Sequence, residues 1–332
     1  MKCSIKLDGN ESPYDLYPDL KDIILKDLEE LQLNRYPDPD FLSIKSKLAN
    51  LHSITEEGIL LGNGSDEIIQ MLITVFSGKS GKILVPSPTF SMYKLTGIAL
   101  NKEVLETDLD EDFDLDLNEI LKTIDNEDPD LIFFATPNNP TGNSFSKKKI
   151  LEILENTNAI VIIDEAYFDY SKDTFLPYME KYDQLMILRT MSKIGLASLR
   201  LGFLFGQPDL IKELNKARLP YNINSFSQSL MNIVLDNLEL IENNVEEIIA
   251  EREKLKNKLS KISGFKVYPS DANFFFIKTQ DADFLFNELV KKDILIRNFN
   301  KPGRLENCVR ITIGTPSENE YLIQALKGIF SD

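Results

Sequence analysis

Five short apolar runs separated by helical stretches constrain this chain more than any other feature: Lys82 to Val85, Leu131 to Ala135, Ile160 to Ile163, Leu185 to Leu188 and Leu201 to Phe205. Alternation of this kind predicts an α/β fold, a mostly parallel central sheet covered by flanking helices. Before the first run, Leu20, Ile23, Ile24, Leu28 and Leu31 recur at helical spacing until Pro37 and Pro39 stop any continuation, and a second short helix is expected over Phe41 to Leu51. After the last run, one long helical stretch is expected from about Ser227 to Ile262. The pattern then changes again. Phe265 to Tyr268, Asn273 to Lys278, Ile294 to Arg297 and Val309 to Ile313 look like strands, with helices near Ala282 to Lys292 and Ser317 to Phe330. The expected organisation is an N-terminal segment, residues 1–30, that joins a smaller α+β C-terminal domain, residues 241–332, with a large domain over residues 31–240 between them.

Composition excludes several classes. With 53 acidic against 37 basic residues the net charge is −16, which opposes a polyphosphate backbone and speaks against nucleic acid as a partner. No apolar stretch approaches the roughly 20 residues of a membrane span, and Met1 to Asn10 has no export or transit pattern, so the cytoplasm is the expected compartment. The single histidine, His52, cannot assemble the usual zinc sites, and Cys3 with Cys308 makes no disulfide framework. An anionic small ligand stays possible, because a pocket can be locally positive inside an acidic shell.

The ends of the runs carry the chemistry. The first is followed by Ser87, Pro88, Thr89 and Phe90, the second by Thr136 to Gly142, the third by Asp164 to Tyr167. The fourth leads through Arg189, Thr190, Met191 and Ser192 to Lys193, with Arg200 seven positions later. In a parallel sheet these ends share one edge, so Phe90, Asn139, Asp164, Tyr167 and Lys193 can face a common crevice. Each supplies something a pyridoxal phosphate site needs: an amine to take the aldehyde, a buried carboxylate for the ring nitrogen, donors for the phenolic oxygen and an aromatic face. Each also has an ordinary reading, Asp164 as a helix cap, Asn138 to Gly142 as a turn and Phe90 as core. Gly62 to Asp66 precedes an apolar helix and suits an anion at a helix N-terminus, to which Thr190, Ser192 and Arg200 can add hydroxyls and a guanidinium. The string is not a dinucleotide fingerprint, since Glu67 stands where the third glycine belongs, and Gly78-Lys79-Ser80 is not a P-loop.

In order and spacing, LDGNESP (Leu7 to Pro13), RYPDP (Arg35 to Pro39), GNGSDE (Gly62 to Glu67), PNNPTG (Pro137 to Gly142), DEAY (Asp164 to Tyr167), SKIGLASLRLG (Ser192 to Gly202), PYNIN (Pro220 to Asn224) and GRLENCVRITIGT (Gly303 to Thr315) make the chain resemble the fold type I pyridoxal-phosphate-dependent aminotransferases. Within them it resembles the histidinol-phosphate aminotransferase branch over nearly its whole length. The resemblance implies that Lys193 is the Schiff-base lysine and proton carrier, Asp164 the partner of the pyridine nitrogen, Tyr167 and Asn139 the ligands of the phenolic oxygen, and Phe90 the stacking residue. It further implies that Ser65, Asp66, Thr190, Ser192 and Arg200 bind the cofactor phosphate, and that Tyr36 reaches it from the second subunit of a homodimer. Arg310 would grip the substrate's anionic group, with Asn10, Tyr14 and Tyr221 lining the substrate end; Arg297 and Arg304 could help, with no positional argument to separate them from solvated rim residues. The implied reaction moves an amino group from L-glutamate to imidazole acetol phosphate in histidine biosynthesis. A phosphothreonine decarboxylase and an aromatic amino-acid aminotransferase are the rivals on the same scaffold. Two departures stand out: the loop from Lys193 to Arg200 is one residue shorter than in many aminotransferases, and Phe90 replaces a common tyrosine.

Overall fold

A computed structural model describes residues 3–330, so the outermost residues of the expected first and last segments lie outside it. Among the described residues, twelve strands form two sheets. The larger sheet contains β2 (Ile59–Asn63), β3 (Lys82–Ser87), β4 (Glu103–Asp108), β5 (Leu131–Ala135), β6 (Ile160–Asp164), β7 (Leu185–Thr190) and β8 (Leu201–Phe205), in the order β2-β8-β7-β6-β5-β3-β4. β8 runs antiparallel to both neighbours, and every other pairing is parallel. The carboxyl ends of the parallel strands therefore share an edge with the amino end of β8. Arg200, just before β8, reaches that edge because its strand is reversed.

The central strands read as unbroken apolar runs because both faces are covered. Ile132, Phe134, Val161, Ile163 and Ile187 enter one hydrophobic cluster, while Phe133, Ile162, Met186 and Leu188 enter a second. Period-two geometry places successive side chains on opposite faces, so each run feeds both cores. The helices of this part of the chain are α1 (Tyr17–Glu30), α2 (Leu42–His52), α3 (Ser65–Phe76), α4 (Ser91–Ala99), α5 (Leu117–Glu127), α6 (Lys147–Glu155), α7 (Phe168–Ser171), α8 (Pro208–Asn215) and α9 (Ser225–Leu235).

The expected single helix over Ser227 to Ile262 is two, α9 and α10 (Leu238–Leu259). Asn237 leaves helical geometry and donates its side-chain amide to the Ile233 carbonyl at 2.7 Å, satisfying locally a group that a continuous helix would use. The smaller sheet follows, with β1 (Ile5–Leu7), β9 (Lys266–Val267), β10 (Phe274–Lys278), β11 (Ile294–Asn298) and β12 (Cys308–Thr312) in the order β1-β11-β12-β10-β9. β1 pairs in parallel with β11 and ties the N-terminal segment to this unit. The strand expected over Phe265 to Tyr268 shrinks to two residues at the sheet edge, where pairing reaches only Ile277 and Lys278. α11 (Ala282–Lys291) and α12 (Pro316–Phe330) complete the unit. No helix among the described residues is long and apolar enough to cross a membrane.

His52 ends α2 with its ring 5.0 Å from Phe205 and 6.4 Å from Phe203. Burial, reinforced by the Arg189 charge, lowers its pKa to about 4. Being the chain's one histidine, it gives a single imidazole signal in untagged protein. An NMR titration of the folded protein is expected to place its midpoint near 4; a midpoint near the ordinary value of about 6.5 would contradict this packing.

Candidate active site

The shared edge of the large sheet opens into a cleft of about 550 Å³. Its lining includes ten of the residues singled out from the sequence: Ser65, Asp66, Phe90, Asn139, Asp164, Tyr167, Thr190, Ser192, Lys193 and Arg200. An adjoining cleft toward the smaller sheet shares Phe90, Asn139, Tyr167 and Lys193 and adds Asn10, Arg297 and Arg310.

Asp164 closes β6, and its carboxylate accepts from the Tyr93 hydroxyl at 2.6 Å and the Ala166 backbone N–H at 3.0 Å. Burial pushes its pKa up to about 6, although those two hydrogen bonds and the Lys193 charge oppose the rise. Such a group costs free energy unless a cation meets it. Lys193 sits in a 3₁₀ turn after β7, its Nζ 3.4 Å from the Gly9 carbonyl and 6.0 Å from the centre of the Tyr167 ring. Its backbone carbonyl accepts from the Tyr170 hydroxyl at 2.6 Å, which pins the turn.

The α3 N-terminus forms another wall, a cradle with the geometry to take an anion. Gly64 precedes α3 at φ 81°, and no side chain caps the helix, so its first N–H groups stay available. Gly202 lies so close that an added Cβ would stand 2.6 Å from the Ser65 nitrogen. The short loop from Lys193 reaches the cradle through two 3₁₀ turns, and left-handed backbone at Gly195 and Arg200 tightens it. Arg200 then lays its guanidinium over Gly64 and donates to Asp66 at 2.9 Å. Ser192 and Thr190 both line the cleft with their hydroxyl oxygens 3.0 Å apart, and the Thr190 oxygen also lies 3.1 Å from the Leu201 carbonyl and accepts from the Ser192 N–H at 3.2 Å. Thr190 therefore shapes the turn with the same hydroxyl that sequence reading assigned to an anion.

At the substrate end Arg310 is buried and donates to Asn139 Oδ1 and to the Asp8 carbonyl, each at 2.6 Å, leaving Nε without a partner. Because the guanidinium only donates, the Asn139 oxygen faces Arg310 and its NH₂ is left for the cleft. Asn10 adopts left-handed backbone, donates to the Tyr167 hydroxyl at 2.8 Å and accepts from Thr312 at 3.2 Å. Tyr167 consequently keeps its own proton free to donate.

Two expected positions, Tyr14 and Tyr221, lie elsewhere, and Tyr36, expected to act in a second subunit, lies outside both clefts of its own chain. Tyr14 lines neither cleft; its hydroxyl is buried toward Glu247, and burial followed by that carboxylate raises its pKa. Tyr36 and Tyr221 stack on each other at 4.4 Å, both exposed, outside both linings. Arg304 donates to the Leu109 and Asp110 carbonyls, while Arg297 lines the adjoining cleft and pairs across the sheet with Arg310. Sequence reading missed Tyr93, whose spacing three residues after Phe90 on an apolar helix resembles ordinary core.

These features can be set beside known proteins. The family described as aminotransferase class I and II matches residues 3–326. The histidinol-phosphate aminotransferase of Aquifex aeolicus is 40% identical over 98% of this chain and 92% of its own length. That of Clostridium novyi is 42% identical with the same coverage. The crystal structure of the histidinol-phosphate aminotransferase from Clostridium acetobutylicum superposes with a TM-score of 0.90 at 27% identity, covering 98% of each chain.

The close approach at Gly202 generates a test. Gly202→Ala drives a methyl group into the α3 N-terminus and is expected to lower the unfolding free energy by about 1–3 kcal/mol in urea titrations. An unchanged midpoint would contradict the packing of the cradle.

Proposed function

We propose that this chain, which belongs to the class I and II aminotransferases, is a pyridoxal-phosphate-dependent transaminase of histidine biosynthesis. It transfers the amino group of L-glutamate to imidazole acetol phosphate, giving 2-oxoglutarate and L-histidinol phosphate. A homodimer, with Tyr36 lent to the second cradle, and a cytoplasmic setting belong to the same proposal, as does the division at residues 1–30, 31–240 and 241–332. The observation that carries it is Asp164, a buried carboxylate that meets only neutral donors and shares its cleft with Lys193.

The residues present fit the cofactor. Asp164 would meet the ring nitrogen, Tyr167 and Asn139 the phenolic oxygen, Phe90 one ring face, and the α3 N-terminus with Ser65, Asp66, Ser192 and Arg200 the phosphate; Thr190 would set the turn that presents Ser192. When bound, pyridoxal phosphate supplies an aldehyde that takes up amino groups and a ring that accepts charge from the substrate's Cα.

The protein's part is proton handling and orientation. Lys193 would hold the aldehyde, and its amine is the cleft group placed to carry a proton to and from the substrate's Cα. Asp164, held by two neutral donors, would meet the ring nitrogen as a carboxylate and favour its protonated form. Tyr167 and Asn139 both donate, because Asn10 and Arg310 occupy their acceptor sides. Arg310 and Arg297 face one another across β11 and β12, a like-charge pair that is unfavourable until an anion lies between them. Burial, with Arg297 adding to it, lowers the pKa of Arg310. A phosphate can engage both guanidinium groups, while a carboxylate is satisfied by one.

Borohydride reduction of the protein with its cofactor, followed by peptide mapping, is expected to mark Lys193, and L-glutamate or L-histidinol phosphate to convert the cofactor to its amino form. Absence of both conversions would reject the reaction, and carbon dioxide release from phosphothreonine would select a decarboxylase. Arg297→Ala is expected to raise KM for histidinol phosphate at least about tenfold, the loss of one charged hydrogen bond, and to affect glutamate less. Arg304→Ala is expected to leave both KM values within about twofold, since removing a group that touches neither ligand costs no binding contact. Equal effects of the two variants would contradict the assignment of Arg297.

A further inference from the structure

Tyr93 is buried completely on α4, stacked on Phe133 at 4.8 Å and edge-on to Phe90 at 5.5 Å. Its hydroxyl takes one oxygen of Asp164, and the Ala166 N–H takes the other. Both torsions of the acid are thereby anchored, one from each side. We propose that Tyr93 is a positioning residue that holds Asp164 ionised and in a single orientation toward the ring nitrogen of the cofactor, an inference that rests on the pyridoxal phosphate reading.

The choice of a neutral donor has a physical reason. An arginine at this place would neutralise Asp164 and leave no charge for the ring nitrogen, while an apolar residue would let the buried acid take its own proton. A tyrosine hydroxyl favours the charged form and adds no charge. The titratable groups near the pair come from every side: Asp66 on α3 raises the Asp164 pKa, Lys193 after β7 lowers it, and Tyr167 after β6 stands near the Tyr93 hydroxyl. Burial is the largest influence, and the Tyr93 hydrogen bond is the foremost of those opposing it. The edge contact with Phe90 lets the same ring brace the face on which the cofactor would stack.

Tyr93→Phe keeps the ring and removes one O–H. The measurement is the unfolding free energy of the cofactor-free protein against pH, for wild type and variant. A carboxyl whose folded pKa is raised contributes stability that is whole below its unfolded pKa of about 4 and is lost as pH rises through the folded value. Wild type should therefore stop losing this contribution near pH 6, while Tyr93→Phe continues to lose it at higher pH. The gap between the two proteins is expected to be constant below that point and to widen above it. His52 runs the opposite way, losing stability as pH falls, but it is common to both proteins and cancels in the difference. In an Asp164→Asn background the widening should vanish. The affinity of the cofactor-free protein for pyridoxal phosphate should also fall by about tenfold or more in Tyr93→Phe.

A gap that is the same at every pH, or that still widens with Asp164→Asn, or an unchanged affinity for pyridoxal phosphate, overturns the proposal. A wild type that shows the widening gap yet binds no pyridoxal phosphate overturns the functional reading and the ring-nitrogen role, leaving only the hold of Tyr93 on the ionisation of Asp164.

Discussion

A carboxylate buried without a cation is the constraint on which the rest of the molecule depends. Asp164 sits at the end of β6, between β5 and β7, where solvent is excluded and desolvation favours the protonated acid. A single aspartate there is an unstable arrangement in isolation. Its surroundings make sense as a means of keeping it charged: Tyr93 and the Ala166 N–H donate to it, and Lys193 lends a distant positive field. None of these removes the charge, so it remains available to a ligand that brings its own cation.

The second organising feature is the seam between the two sheets. Asn10 joins Tyr167 to Thr312, Asn273 donates to the Asn10 carbonyl at 3.1 Å, and Arg310 joins Asn139 to the Asp8 carbonyl. The bonds from Asn10 to Tyr167 and from Arg310 to Asn139 each occupy an acceptor on a cleft residue and leave its donor for the cleft. The N-terminal segment, tied into the smaller sheet through β1, thereby fixes the polarity of groups that belong to the larger one. Arg297 and Arg310 add the opposite tension, two like charges in register that an anion would relieve.

Much of this was legible in the sequence, and the reasons differ by residue. β5, β6, β7 and β8 appear as unbroken apolar runs because both sheet faces are covered, so their ends, and with them Asp164 and Lys193, could be placed on one edge. The break at Asn237 was not visible, since a helix interrupted by one side-chain hydrogen bond keeps its hydrophobic period on either side. Tyr221 lies in a family string and Tyr14 directly follows one, yet a string reports chain position and not the direction of a side chain. Arg297 and Arg304 look alike in sequence; only strand register separates the cleft arginine from the one that binds two backbone carbonyls. Tyr93 was hidden most completely, because a helical aromatic among apolar neighbours is ordinarily core, and its role lies in one hydroxyl.

The central claim is that Asp164 stays ionised in order to keep a ring nitrogen protonated, and nitrogen-15 NMR of the protein loaded with ring-labelled pyridoxal phosphate reads that proton directly. The account predicts a protonated pyridine nitrogen near neutral pH that becomes unprotonated with Asp164→Asn. An unprotonated nitrogen in the wild type would contradict it.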